Sequence, residues 1–209
     1  VTTAYTLAML GSDYDQGLVH YFTEAFEALG GTVISEDFPE GNANFVSYIN
    51  NAKSAGAGVI FAPVSTNYAQ LIIEAASAQG YEGSLLGSDT WDNNKVAEST
   101  VGKNVSVEVT TFYQEGGDPD FDAGIKEWIN ANDDAKTNNG GNDMVAAVTV
   151  MGYDAYFTAL EALPSVTYDG VCGHIEFDDI GDAKRDQAYI KTANTETGAW
   201  DFVKVQGVA

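Results

Sequence analysis

Apolar and polar positions along this chain alternate between two rhythms, one of period two and one near 3.6. Thr3 to Leu10 is a run of apolar, β-branched and aromatic residues that stops at Gly11-Ser12-Asp13, where a strand ends and a helix N-cap fits. Leu18, Phe22, Ala25, Phe26 and Leu29 then recur at helical spacing, and Gly30-Gly31 supplies a left-handed stop. The same sentence is repeated. Thr32 to Ser35 reads as strand, Phe45, Ile49 and Ala52 as a helix face, Val59 to Ala62 as strand, and Tyr68 to Ala78 as helix. Leu85-Leu86 makes a fourth strand ending at Gly87, Val105 to Thr110 a fifth, and Phe121 to Ile129 a helix with Ile125 and Trp128 on its apolar side. Strands separated by helices predict right-handed crossovers and a doubly wound α/β fold, a parallel sheet covered on both faces.

Beyond this the pattern changes. Asp133 to Asp143 is polar and rich in Asn and Gly, and is predicted as a loop or hinge. Met144 to Leu163 reads as a long helix with both faces apolar, built to pack against more protein than the chain holds, or to swap into a second copy as a homodimer. From Gly173 on, strand (Ile175, Phe177), acidic turn (Asp178-Asp179-Ile180-Gly181-Asp182), strand (Ala188 to Lys191), turn (Glu196-Thr197-Gly198) and strand (Trp200 to Val205) predict a C-terminal antiparallel extension. The expected organisation is a parallel lobe over 1–113, a helical crossover segment over 114–170, and returning strands over 171–209 that complete the lobe.

With 209 residues and 44% apolar side chains the chain can bury a core, so a disordered reading is excluded. Nine Lys and Arg stand against 31 Asp and Glu, and a net charge of −22 makes nucleic acid and anionic membrane surfaces poor partners. No run approaches the roughly 18 to 20 apolar residues of a membrane span. The chain opens without Met and with no charged-then-apolar signal segment, which reads as a processed or trimmed product. Cys172 has no second cysteine to bond, and with His20 and His174 it cannot assemble a standard zinc site, so no metal or cofactor is expected.

In open parallel sheets ligands bind at the carboxyl ends of the strands, where helix N-termini present N–H groups. Three turns meet that description: Gly11 to Gly17, Pro63 to Tyr68, and Gly87 to Asn93. Their mix of hydroxyl, amide, aromatic and carboxylate side chains suits a zwitterion with an apolar tail better than a phosphate. Ser12 or Asp13, and Ser65, Thr66 or Asn67, read equally as helix caps. Asp89 stands apart, because Asp92 or Asn93 already serves as cap behind it. Tyr14 and Trp91 fall at expected loop tips, where ligand contact and edge packing are both open readings. No nucleophile elbow, Gly-rich phosphate loop or His-Glu-x-x-His pair occurs. His20 reads as a surface residue of the first helix, His174 beside Cys172 as alternation along a strand, and the acidic runs as solvated turns without calcium-loop spacing.

The run Ser12-Asp13-Tyr14-Asp15-Gln16-Gly17 leading to Leu29-Gly30-Gly31, then Val59 to Pro63, Leu86-Gly87-Ser88-Asp89, Gly152-Tyr153-Asp154-Ala155, and the closing Gly173 to Asp178 with Gly181-Asp182, resembles type I periplasmic binding proteins of the leucine/isoleucine/valine group. The order and spacing of these segments, rather than any one, carry the resemblance. It implies two doubly wound lobes joined by three crossovers, with this chain holding the second lobe and part of the first. Tyr14 then matches an aromatic ligand contact and Asp89 the acid that pairs with the ligand ammonium. Ser65 and Thr66 fall where the group often carries Tyr. The Ser/Thr-rich loop that grips the ligand carboxylate has no counterpart here, and an extra helical segment expected between Ala162 and Leu163-Pro164 is missing.

The resemblance therefore implies a non-catalytic, extracytoplasmic solute-binding component of an ABC importer, periplasmic or lipid-anchored. It would hold an amino-acid-like small molecule with Tyr14, Ser65, Thr66, Asp89 and Trp91 and deliver it to a membrane permease. A sensory module of the same fold is the alternative, set apart by a transmembrane helix and kinase in place of a lipoprotein signal. A flavodoxin-like enzyme is a third reading, which a bound nucleotide or flavin would support.

Overall fold

The computed structural model describes residues 1–161, 167–177, 183–184 and 187–207. The acidic turn at 178–182 and the junction at Leu163-Pro164 lie outside the described residues. The chain divides into two units, Val1–Thr110 with Lys191–Asp201, and Thr111–Ile190 with Phe202–Ala209.

In the first unit the two rhythms become β1 (Thr3–Met9), α1 (Asp13–Ala28), β2 (Thr32–Phe38), α2 (Val46–Ser54), β3 (Val59–Phe61), α3 (Thr66–Ala78), β4 (Ser84–Gly87), a 3-10 turn (Asp89–Trp91), α4 (Asn94–Glu98) and β5 (Ser106–Thr111). Strands β2-β1-β3-β4-β5 lie side by side in that order, and each neighbouring pair among them is parallel. The order reverses between β1 and β3, which opens a crevice at their carboxyl ends. The sheet continues through β8 (Gln187–Asn194) and β9 (Ala199–Gly207), joined by a tight turn that Gly198 N closes onto Asn194 O at 2.8 Å. The core lies between the sheet and α2 and α3: Tyr5, Leu7, Ile60, Leu85 and Val107 from strands meet Ile49, Ala52, Ile72 and Ile73 from helices, all essentially without solvent exposure.

The opposite face is thinner. Val19 of α1 packs with Ala8 and Phe61, and Phe22 stacks on Phe61 with ring centroids 4.5 Å apart. The expected stripe of α1 is corrected here, since Leu29 is 88% exposed and Ala25 is exposed too. The turns that face the sheet run through Asp15, Val19, Phe22 and Phe26, and Leu29 falls beyond the helix as its C-cap.

The second unit holds α5 (Pro119–Asn130), α6 (Asp133–Asn138), α7 (Ala147–Glu161), and the antiparallel pair β6 (Thr167–Gly170) and β7 (Gly173–Glu176). Tyr113, Val145, Ala147, Val150 and Cys172 form its core, with Phe121 and Ile125 against it. Three expectations change. Trp128 is 60% exposed while its neighbour Ile129 is buried at 3%, so the apolar side of α5 runs through Phe121, Ile125 and Ile129. The supposed hinge after Asn132 contains a helix: Asn132 caps α6 by accepting from Ala135 N at 3.0 Å, with Asp133 and Asp134 in the first turn, a local signal that needs no apolar face. Helix α7 starts at Ala147 rather than Met144 and leaves Val148 and Tyr156 about 60% exposed. Its Asp154, 1% exposed, accepts from Val171 N and Cys172 N at 2.9 and 2.7 Å and so pins the β6–β7 turn.

Candidate functional site

The turns after β1, β3 and β4 come together at the carboxyl edge of the first unit. At the first, Gly11 takes a φ of +80°, a left-handed conformation that lets the chain turn sharply from β1 into α1. Ser12 then caps α1. Its hydroxyl accepts from Asp15 N at 3.2 Å and donates to Asp15 Oδ1 at 2.7 Å, while Asp15 Oδ2 accepts from Met9 N at 3.0 Å. Asp15, 5% exposed, is thus spent on holding the turn, and Tyr14 is left on the outer surface at 44% exposure.

The phenol of Tyr14 reaches across β3 to the turn after β4. It donates a short hydrogen bond to Asp89 Oδ1 and lies 3.1 Å from Ser88 Oγ. Burial raises the Tyr14 pKa above its ordinary value, and the bond to the Asp89 carboxylate raises it further, so the phenol stays protonated as a donor. Ser88 Oγ is 3.0 Å from Thr90 Oγ1, which donates to Val64 O at 2.8 Å. Thr66 Oγ1 donates to Thr90 O at 3.2 Å and accepts from Asn93 Nδ2 at 2.8 Å. All three turns are therefore joined by side-chain bonds, and a half-buried carboxylate lies among hydroxyls above them.

The five residues singled out from sequence fare differently. Tyr14 and Asp89 are brought together. Thr66 sits below them with its hydroxyl engaged within the turns, and Ser65 is exposed at the start of α3, where it makes no capping hydrogen bond. Trp91 is not at a loop tip: it is fully buried, its indole donates to Val64 O at 3.1 Å, and its ring lies where a Cβ on Gly87 would come within 2.3 Å. A one-turn 3-10 helix that begins at Asp89 swings this side chain into the core, where its contacts are with protein. The expectation that Trp91 walls a ligand is corrected on that ground. Ser88 and Thr90, which link the Tyr14 phenol to Val64 O in the neighbouring turn, read from sequence only as hydroxyls flanking an acid.

Two hollows lie elsewhere. One of about 570 Å³, lined by Lys53, Ala57, Tyr81 and Gly83, sits at the other edge of the sheet, where α2 and α3 end. It meets the carbonyl ends of helices and is without the convergent helix N-termini and hydroxyl groups of the carboxyl edge, so the candidate site is placed at the latter. The other, about 390 Å³ in the second unit, is lined mainly by apolar groups of α7 with Ile175 and Phe177. Cys172 is buried in the second unit's core, whereas His174 is exposed with Nδ1 2.5 Å from Asp169 Oδ1. Among the described residues no group of three or more His, Cys, Asp or Glu is placed to hold a metal, and no helix is long and apolar enough to cross a membrane.

A 2-1-3-4-5 parallel sheet with polar and aromatic turns gathered at its carboxyl edge defines the class of doubly wound ligand-binding folds. The sequence profile of the periplasmic binding protein family matches residues 1–206, and the chain belongs to that family. No curated protein matches the sequence. Among solved structures the chain is similar to the leucine binding protein LivK of Thermotoga maritima, with a TM-score of 0.77 and 23% identity over 99% of this chain and 61% of that one. The branched-chain amino acid transporter substrate binding protein LivJ of Streptococcus pneumoniae, solved with isoleucine, gives 0.73 and 18% identity over 99% and 60%. A fatty acid ABC transporter substrate-binding protein of Thermomonospora curvata gives 0.77 and 16% identity over 99% and 58%. The chain thus spans about three fifths of the length of these relatives, and the fold is the one they share.

Proposed function

We propose that this chain is the ligand-gripping part of a non-catalytic, extracytoplasmic solute-binding protein that serves an ABC importer, and that its ligand is a small molecule bearing an ammonium group, an amino acid or a close analogue. The observation that carries the reading is the meeting of Tyr14 and Asp89 over the β3 turn. A carboxylate held by one hydroxyl on one oxygen keeps acceptor capacity for a ligand cation, and a charge-assisted hydrogen bond is among the stronger ones available to a binding site. Tyr14 lies beside it with a partly exposed aromatic ring. The relatives named for leucine and for branched-chain amino acids support an amino-acid ligand. The relative named for fatty acids shares the fold equally well, so the site chemistry has to decide between them; a fatty acid's carboxylate would be repelled by Asp89. The permease is the implied macromolecular partner.

A thermal-shift panel on the full-length encoded protein tests this, with amino acids in one arm and fatty and aromatic acids in the other. A ligand at a hundred times its Kd stabilises by about 2.7 kcal/mol, which is roughly 5–10 °C for a domain of this size. Stabilisation by amino acids alone is expected. Stabilisation confined to the carboxylic acids that lack an amino group would overturn the reading.

A further inference from the structure

The short turn that carries Asp89 is also gripped by residues about a hundred positions later in the chain. Asp92, 2% exposed, receives Lys191 Nζ at 3.0 Å on each carboxylate oxygen, and Lys191 is itself 3% exposed. The next residue, Asn93, accepts from Trp200 Nε1 at 3.2 Å on its carbonyl. Two successive residues are therefore held by two different strands, β8 and β9, within one unit. The same turn is tied to Val64 O by Thr90 and Trp91.

A buried ion pair is a poor way to gain stability, because removing both charges from water offsets most of their attraction; a well-packed apolar pair serves as well or better. What a two-oxygen grip supplies is direction. It fixes the Asp92 carboxylate, and with it the rotation of a three-residue 3-10 turn whose own backbone bonds, Trp91 N to Ser88 O and Asp92 N to Asp89 O at 3.0 Å each, close the turn without setting its orientation against the sheet. Lys191 is also the first residue of this unit on the returning chain, so the grip is applied where the chain re-enters.

We propose that Lys191 and Trp200 are positioning residues for the ligand site: acting through Asp92 and Asn93, they hold the 88–93 turn so that Asp89 presents its carboxylate at the carboxyl edge beside Tyr14. This rests on the reading of Asp89 as the ligand's acid. The test uses the full-length encoded protein with two readouts, backbone amide exchange of residues 88–93 and calorimetric titration of isoleucine. The double variant Asp92→Leu/Lys191→Met replaces the pair by apolar groups. It is expected to keep its Tm within a few degrees, to exchange at 88–93 at least tenfold faster with β1 and β3 unchanged, and to bind isoleucine at least tenfold more weakly. Trp200→Phe removes one donor and is expected to raise exchange at Asp92 and Asn93 a few-fold; it decides the matter if the double variant does not fold. Wild-type exchange in both variants, with wild-type affinity, would overturn the proposal even while Asp89→Asn weakens binding. If Asp89→Asn binds isoleucine as tightly as the unaltered protein, the reading of Asp89 as the ligand's acid fails; in that case, or if the unaltered protein gives no heat with isoleucine, exchange alone decides the positioning role.

Discussion

At the residue scale, what a side chain does is set by what its neighbours leave it to do. Asp15 and Asp89 are both acids just past strand ends. Asp15 accepts from Met9 N and Ser12 on its carboxylate and is consumed by the turn, while the carboxylate of Asp89 is met by the phenol of Tyr14 on one oxygen. Removing that phenol oxygen in Tyr14→Phe should leave the fold intact and lower affinity for an ammonium ligand by a few-fold, because Asp89 loses its orientation but not its charge; an unchanged Kd by calorimetry would contradict this. The buried phenols make a second prediction. Burial raises Tyr81, whose hydroxyl donates to Ala57 O at 2.9 Å, to about 12, and raises Tyr5, Tyr14 and Tyr113 as well. A group with a raised folded pKa contributes stability that is complete below its unfolded value near 10 and is lost as pH climbs through the folded one. Urea midpoints should therefore fall from pH 10 upward, less steeply in Tyr81→Phe; parallel slopes for the two proteins would refute the assignment. Asp89 could be singled out from sequence because a second cap, Asn93, followed it, and Asn93 does accept from Val96 N at 3.2 Å. Trp91 could not be placed, since a single 3-10 turn decides whether an aromatic two residues past an acid points outward or inward, and no periodicity records so short an element.

At the scale of elements, the strands and helices that could be read from the chain are those whose apolar spacing matches what they pack against. β1, α2, α3 and β4 each bury a periodic set in one core, and their turns fall where Gly11, Gly56, Gly80 and Gly87 stand. The apolar arc of α1 is wider than the part the sheet covers, so its sequence predicts too broad a stripe, and α6 leaves no apolar period to read because it buries nothing. The site inherits its geometry from the first group. Gly87 lies at the end of β4 with no room for a Cβ against the Trp91 ring, so Gly87→Ala should push the indole out and shift the whole Asp89 turn. A loss of roughly 1–3 kcal/mol in urea unfolding, the usual range for overpacking, together with a changed tryptophan emission spectrum, is expected. A variant with wild-type stability and spectrum would show that the turn does not depend on that contact.

For the whole molecule the dominant quantity is charge. Nine cations against 31 anions leave the chain at −22, and several of the cations are already engaged, as Lys191 is with Asp92 and Lys126 with Glu115. Self-repulsion of this size opposes the compact state, and salt relieves it by shortening the Debye length from about 30 Å at 0.01 M to about 3 Å at 1 M. The Tm should rise by several degrees between those concentrations of KCl; a flat or falling Tm would show that local ion pairs outweigh the net charge. The same excess of negative charge favours a cationic group at the carboxyl edge and draws it toward Asp89. The most direct test of that claim is a calorimetric titration of isoleucine into the full-length protein and its Asp89→Asn variant. The expected result is binding by the first and a loss of about 1.5–3 kcal/mol, roughly 10- to 150-fold, in the second. Equal affinity in the two proteins would contradict it.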